Sequence, residues 1–408
     1  MVPVNTLDLD LVVVFGTVIA TALVSRWTHL PITALEILAG IALVAVAGFG
    51  LPNGTASILV LGSLFIVFLA GLETNLTFLR QNIVRALTVG LAGFLVPFAG
   101  LFLVLDILVR APLLVAVIGA TVLADTSISI VYTTLQQYDL TGLPFGRLVL
   151  AGTLAVNLAE DSSITLTTLF TTSGLLYTLG VLGALGIAAV LLPYIARAAR
   201  DRPGYFTFSN VPARVLLFSL AVLAFLSALV GVPGILFVFL MGLLFSSWAG
   251  AEFLRDIRKL AFALFVPLYF LAVGLRVDLG FVLAHGWILL VIAVAATAFK
   301  MLGVYPVARR YMGAARAAPV AVLMNTRLTS ATVILTLTLS LGLLDVGWYS
   351  LFLTAVVLLA LVSAGSLRFF PAFRSVESAR ALFASPESGG TPRRGDASGR
   401  LPVEVTPP

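Results

Sequence analysis

The chain has 408 residues, of which 60% are hydrophobic and 10% charged. A soluble domain carries about 25% charged residues, so this chain cannot cover a water-facing surface of its own size, and lipid must cover it instead. The net charge of +6 does not signal nucleic acid, because Lys and Arg sit singly between apolar runs and form no basic face with interleaved aromatics.

Met1 to Asp10 lacks a basic n-region, so the first apolar run, Leu11–Val24, reads as a membrane helix and not as a signal peptide. A window of about 19 residues then gives about thirteen apolar spans. They are expected near 9–25, 32–51, 56–79, 83–108, 112–136, 145–172, 175–198, 212–231, 233–249, 258–276, 281–308, 315–341 and 347–368. Glu36 and Glu73 lie near span ends and read as interfacial. An odd span count puts the termini on opposite sides. With the N-terminus outside, the outer loops carry only Arg110 and Arg276, while Arg26, Arg80, Arg85, Arg147, Arg197 and most other basic residues fall on the cytoplasmic side. Residues 1–373 are therefore expected to form the membrane domain. Residues 374–408, rich in Ser, Gly and Pro, are expected to be a disordered cytoplasmic tail.

A short repeat runs through the apolar sequence. Span 3 ends Phe68-Leu-Ala-Gly-Leu-Glu-Thr-Asn-Leu76, and span 10 ends Phe270-Leu-Ala-Val-Gly-Leu-Arg-Val-Asp-Leu279. Copies seven spans apart would insert upside down relative to each other, the pattern of inverted-repeat transporters.

The informative residues are ionisable groups inside spans, each costing about 2.5–3.5 kcal/mol at a helix centre. Asp125 sits in Leu123-Ala-Asp-Thr-Ser-Ile-Ser129, and seven spans later Met324-Asn-Thr-Arg-Leu-Thr-Ser330 interrupts the apolar run in the same way. Short polar side chains compete for backbone hydrogen bonds and break membrane helices, and paired breaks point to a midplane binding site. The plainer reading is that Ser and Thr here only pack helices together. In Asn157-Leu-Ala-Glu-Asp161 the adjacent carboxylates face different surroundings, and Asn157 shares the face of Asp161. Two acids in a low-dielectric site are rarely both ionised without a cation, so proton loss and cation uptake become linked. A structural ion pair between Glu160 and Lys300 is the alternative. Lys300 could hold Glu160 while the site lacks a cation and let it go when one arrives. Arg327, which stays protonated, is expected to be a fixed charge balancing a carboxylate or the broken helix ends.

Several runs together resemble the monovalent cation/proton antiporter superfamily, in the branch of the Kef-type and NapA-like exchangers. They are Leu61-Gly-Ser-Leu-Phe-Ile-Val-Phe-Leu-Ala-Gly-Leu-Glu73, Phe265-Val-Pro-Leu-Tyr-Phe-Leu-Ala-Val-Gly-Leu-Arg276 and Met324-Asn-Thr-Arg327, in that order. The resemblance implies an all-α polytopic fold of thirteen helices with inverted repeats and two crossed broken helices, a homodimer with interleaved core and dimerisation parts, and elevator-like alternating access. It places the essential aspartate at Asp161 and a variable partner at Glu160, and it matches Lys300 to the lysine of electrogenic members. Glutamate at position 160 and aspartate at 125 depart from the Kef-type pattern.

The expected function is electrogenic exchange of Na⁺, with K⁺ or Li⁺ as alternatives, for protons across the inner membrane. Asp161 would carry cation or proton, Asp125, Thr126 and Asn157 would support the cation, Glu160 and Lys300 would form a second titrating pair, and Arg327 with Asn325 would balance the broken helix. A K⁺ efflux antiporter, a passive cation channel or an organic-anion/sodium symporter on the same scaffold are the rival readings. No nucleophile–base pair or phosphate-binding loop is visible, which argues against an enzyme. Without cysteine, and with His29 and His285 far apart, no cofactor is expected.

Overall fold

A computed structural model describes residues 6–28, 30–49, 55–72, 83–172 and 251–384, with isolated positions at 220, 238, 239, 241 and 242. The described residues contain helices and connecting turns and no strand. Helices are the expected outcome, since lipid offers no hydrogen bonds and each spanning segment must satisfy its own backbone. Six of the described helical stretches are long and apolar enough to cross a membrane.

In chain order the helices are α1 (Thr6–Thr28), α2 (Ile32–Ala47), α3 (Thr55–Leu72), α4 (Ile83–Leu103), α5 (Leu113–Ala124), α6 (Ile128–Gln137) and α7 (Pro144–Thr172). After residue 250 follow α8 (Ala251–Leu260), α9 (Val266–Gly274), α10 (Leu279–Ala284), α11 (Gly286–Met312), α12 (Ala314–Leu323), α13 (Thr329–Ser340), α14 (Val346–Ser366) and α15 (Val376–Ala384). Single π-helical turns extend α4 through Val104–Leu108 and join α8 to α9 through Ala261–Phe265. The spans expected at 175–198, 212–231 and 233–249 fall largely outside the described residues, as does Glu73. Over their described residues the other expected spans fall on helices, and those at 112–136 and 315–341 fall on broken pairs.

The expected repeat extends far beyond one short match. Ser127 and Thr329 are 202 residues apart, and the same offset superimposes the helix starts of the two halves to within one residue: α5 on α12, α6 on α13, α7 on α14 and α4 on α11. Each half thus contains a long helix, a broken helix and a second long helix.

Close backbone approach holds these helices together. A methyl group on Gly303 of α11 would lie 2.3 Å from the Ala92 carbonyl oxygen of α4, so only glycine allows the contact. The α2–α9 contact is equally tight: a methyl on Gly274 would lie 2.1 Å from the Ile37 carbonyl oxygen. Small residues at such crossings are the usual means by which membrane helices pack, because dispersion must replace the missing hydrophobic drive.

Two findings differ from the sequence reading. Glu36, expected at an interface, is 1% exposed between helices. Ordered chain also continues past residue 374, where the polar tail was expected to begin. In α15, Ala379 and Phe383 are buried, Phe383 stacks on Phe145 with ring centroids 3.8 Å apart, and the Leu382 carbonyl accepts from Arg316 Nε at 2.8 Å. The polar average of the tail concealed a nine-residue helix that packs through a few apolar side chains.

Candidate functional site

Both interruptions expected from the sequence are present. Between α5 and α6 the chain leaves the helix at Asp125, Thr126 and Ser127; between α12 and α13 it does so from Met324 to Leu328. Each break leaves orphan carbonyls at one helix end and orphan N–H groups at the next, and each break supplies partners to the other. The Ser127 N–H donates to the Thr326 carbonyl at 2.7 Å, the Thr126 hydroxyl donates to the Met324 carbonyl at 2.8 Å, and the Ser127 and Thr329 hydroxyls lie 3.0 Å apart. These two residues occupy equivalent positions in the two halves of the repeat. The polar cluster is therefore centred where the halves of the repeat meet.

Around this crossing the site residues are all buried. Asp125, Thr126, Glu160, Lys300 and Arg327 are fully inaccessible, while Asn157, Asn325 and Asp161 retain only 2–4% exposure. Asn157, with its amide nitrogen turned towards the acceptors, donates to the Thr126 carbonyl at 3.0 Å and to Asp125 Oδ1 at 3.3 Å. It thereby links α7 to the first break. Asp161, one turn further along α7, opens onto a cavity of about 10 Å³ that it lines with Asn157, Ile66, Phe239 and Ser330. That is the lower limit for holding one water molecule, and a small dehydrated cation is no larger.

The buried charges divide their work differently from expectation. Lys300 Nζ donates to three carbonyls: Ala124 at 2.7 Å, Gly93 at 2.8 Å and Asp125 at 3.0 Å. An ammonium has three N–H donors, so all are used, and no ion pair joins Lys300 to Glu160. Two of the three acceptors are orphan carbonyls at the C-terminal end of α5, where the helix dipole favours a positive charge. Lys300 thus holds the broken helix end, a role expected of Arg327. Arg327 donates from Nη2 to the Ala296 carbonyl of α11 at 2.9 Å, leaving Nε and Nη1 without partners. Asn325 donates to Ser363 Oγ at 3.0 Å.

Asp125 and Glu160 lie close enough for a proton on one to form a side-chain hydrogen bond to the other, and no other donor reaches Asp125 Oδ2 or either Glu160 oxygen. Buried oxygens without donors cost of the order of 1–3 kcal/mol each, more when charged. The arrangement is therefore suited to receiving something that supplies protons or positive charge. Position 363, the repeat equivalent of Asp161, is Ser363, so only the first half of the repeat carries the acids. The sequence reading missed Ser363 and the acceptors of Lys300. Ser363 was detectable by applying the repeat offset, but backbone carbonyls carry no sequence signal.

Buried acids beside water-sized space, set on two interlocked broken helices within a lipid-covered bundle, define an integral membrane protein built to handle small ions. Residues 13–372 match the family described as sodium/hydrogen exchanger, transmembrane, and the chain belongs to that family, within the monovalent cation/proton antiporters. It is similar to a Na⁺/H⁺ antiporter of Enterococcus hirae, 25% identical over 368 residues that cover 85% of this chain and 93% of that protein. It also resembles cation/H⁺ antiporter 18 of Arabidopsis thaliana, 29% identical over 65% of this chain, although the match spans only 35% of the plant protein. Its fold is similar to the solved structure of the sodium proton antiporter MjNhaP1 from Methanocaldococcus jannaschii, with a TM-score of 0.66 at 14% identity, covering 93% of this chain and all of that one.

Proposed function

We propose that this protein exchanges Na⁺ for protons at Asp161. The observation that carries the reading is the charge inventory of the site. Asp125, Glu160 and Asp161 are buried with Lys300 and Arg327, so full ionisation of all five leaves one negative charge uncompensated in a low-dielectric space. One proton or one monovalent cation restores neutrality, and the two compete for the same carboxylate. Asp161 is the member that opens onto the cavity, and Asn157 and Asp125 are the groups that support a cation there. The tight cavity and carboxylate-rich surroundings favour Na⁺ or Li⁺ over the larger K⁺.

Glu160 is the second proton carrier. Lys300 has all its protons committed to carbonyls, whereas the Glu160 oxygens have no partner beyond the neighbouring Asp125 carboxyl, so a proton leaving Glu160 disturbs only that one contact. With protons on both Asp161 and Glu160 the site carries one net positive charge and with the cation it is neutral, so release of two protons for each cation bound moves one net charge per cycle, worth about 2.3 kcal/mol per 100 mV of membrane potential. The interlocked breaks move as one body against α2, α3 and α9 in elevator fashion, carrying Asp161 from one face to the other. The protein works as a homodimer in the inner membrane, with its C-terminus cytoplasmic, in pH homeostasis.

Reconstituted protein in proteoliposomes tests this directly. Na⁺ added outside should drive proton movement in wild type and none in Asp161→Asn, and a membrane potential should shift the balance point. Wild-type rates in Asp161→Asn would refute the site, and indifference to potential would refute the two-proton stoichiometry.

A further inference from the structure

Outside the ion site, one buried acid among the described residues has a carboxylate oxygen that no donor reaches. Glu36 lies in the second turn of α2, between Ala34 and Ile37, which are fully inaccessible, and is itself 1% exposed. Its Oε2 receives no hydrogen bond. One turn beyond it the backbones of α2 and α9 touch at Gly40 and Gly274, where an added methyl on either would strike a carbonyl oxygen at 2.1–2.3 Å. Packing this close leaves no room for water where the two glycines meet.

Among the described residues, the elements packed against α2 give Glu36 no bonded counter-charge. On α1 the titratable side chains with described surroundings are Asp10 and Arg26. On α9 there is Tyr269, whose hydroxyl is given to Thr336 at 3.2 Å. After it come Arg276 and Asp278, the latter capping α10 through Phe281 N. On α14 there is Tyr349, whose hydroxyl is given to the Val273 carbonyl at 2.9 Å. None of these groups bonds to Glu36. An ionised carboxylate so placed would be neither solvated nor paired, and such a group takes up a proton instead.

A hydroxyl-lined cavity opens one turn away along the same helix. Thr33, three residues earlier and on the same helix face, lines a cavity of about 30 Å³ together with Leu69 of α3, Phe270 of α9, Ser129 of α6 and Thr329 of α13. The volume is enough for water, and three hydroxyls line it. The cavity is bounded on one side by the interlocked breaks and on the other by α2, α3 and α9, so movement between these two groups changes its size.

We propose that Glu36 is a second proton-binding site, separate from the ion site, which holds a proton in the packing described here and exchanges it with water when the cavity at Thr33 widens. Its place in the exchange cycle rests on the function proposed above; its protonation does not. The first test is infrared spectroscopy of the full-length protein at neutral pH. The wild type should show the C=O absorption of a protonated carboxylic acid that Glu36→Gln removes and Asp161→Asn leaves in place. Glu36→Asp should restore a displaced band. The second test is transport. Glu36→Gln should still exchange cation for protons, but its rate should change about tenfold less per pH unit across the limb that Glu36 controls, as expected for loss of one proton. An unchanged infrared spectrum in Glu36→Gln overturns the proposal whatever the transport result. A lost band with a wild-type pH response overturns the coupling and leaves only a structural acid. If wild type itself fails to exchange, the infrared result still decides whether Glu36 binds a proton.

Discussion

The hydroxyls of Ser127 and Thr329, equivalent positions in the two halves of the repeat, lie 3.0 Å apart where the two helix breaks meet. The contact pins the N-terminal ends of α6 and α13 to each other, and the neighbouring Thr126 and Met324 supply a second tie between the same breaks. Thr126→Val keeps the side-chain shape but leaves the Met324 carbonyl without its donor. Bonds of this kind in membrane proteins average about 0.6 kcal/mol and reach about 1.7. A stability loss in that range, measured by thermal unfolding in detergent, is expected, with Thr126→Ser restoring most of it.

Lys300 gives a larger effect, because it satisfies three carbonyls at once. Lys300→Met should lower stability by roughly 3 kcal/mol or more, since it strands buried acceptors and removes a positive charge from beside buried acids. Lys300→Arg should not rescue it fully: a planar guanidinium cannot point three donors at carbonyls arranged around a compact ammonium. Fluorescence-detected thermal stability of the two variants checks both statements.

Gly303→Ala tests whether helix spacing controls the site. The new methyl would lie 2.3 Å from the Ala92 carbonyl oxygen, so α4 and α11 must separate, and that separation pulls Lys300 from the adjacent Gly93 carbonyl. Transport is expected to fall at least about tenfold, as small displacements of positioning groups commonly cost. Retained activity would show that Lys300 follows the movement of its helix without losing the site.

Competition between proton and cation has a definite sign. Protons occupying the carboxylates exclude Na⁺, so the apparent Km for Na⁺ should fall as pH rises. The fall should be about tenfold per pH unit if one proton leaves and about a hundredfold if two leave, levelling once the site is deprotonated. Initial rates at several pH values, at clamped potential, distinguish the two slopes. Glu160→Gln should reduce a two-proton slope to one.

The C-terminal helix separates surface charge from packing. Arg380 and Asp139 form an exposed ion pair, and such pairs contribute about 0–1 kcal/mol, so Arg380→Ala should scarcely change thermal stability. Phe383→Ala removes a buried ring stacked on Phe145 and should cost about 3 kcal/mol. Equal effects of the two variants would contradict the packing of α15.

Hydropathy alone determined that the chain is a helical membrane protein, because the length of an apolar run is set by bilayer thickness. Local polar interruptions at Asp125 and Asn325 marked the two broken helices, since short hydrogen-bonding side chains compete with the helix wherever they occur. Burial of Asp161, Glu160, Lys300 and Arg327 followed from their position within apolar spans. What each charge touches was decided only by the tertiary structure. Sequence chemistry pairs Lys300 with a carboxylate, but crossing helices brought three backbone carbonyls to its amine, and every residue has a carbonyl. Glu36 gave the same lesson in reverse. Its distance from the span end suggested an interface with water, and the contact of Gly40 with Gly274 closed that space. Periodicity reports which way a side chain faces along its own helix, whereas the neighbour on the other side depends on how separate helices cross.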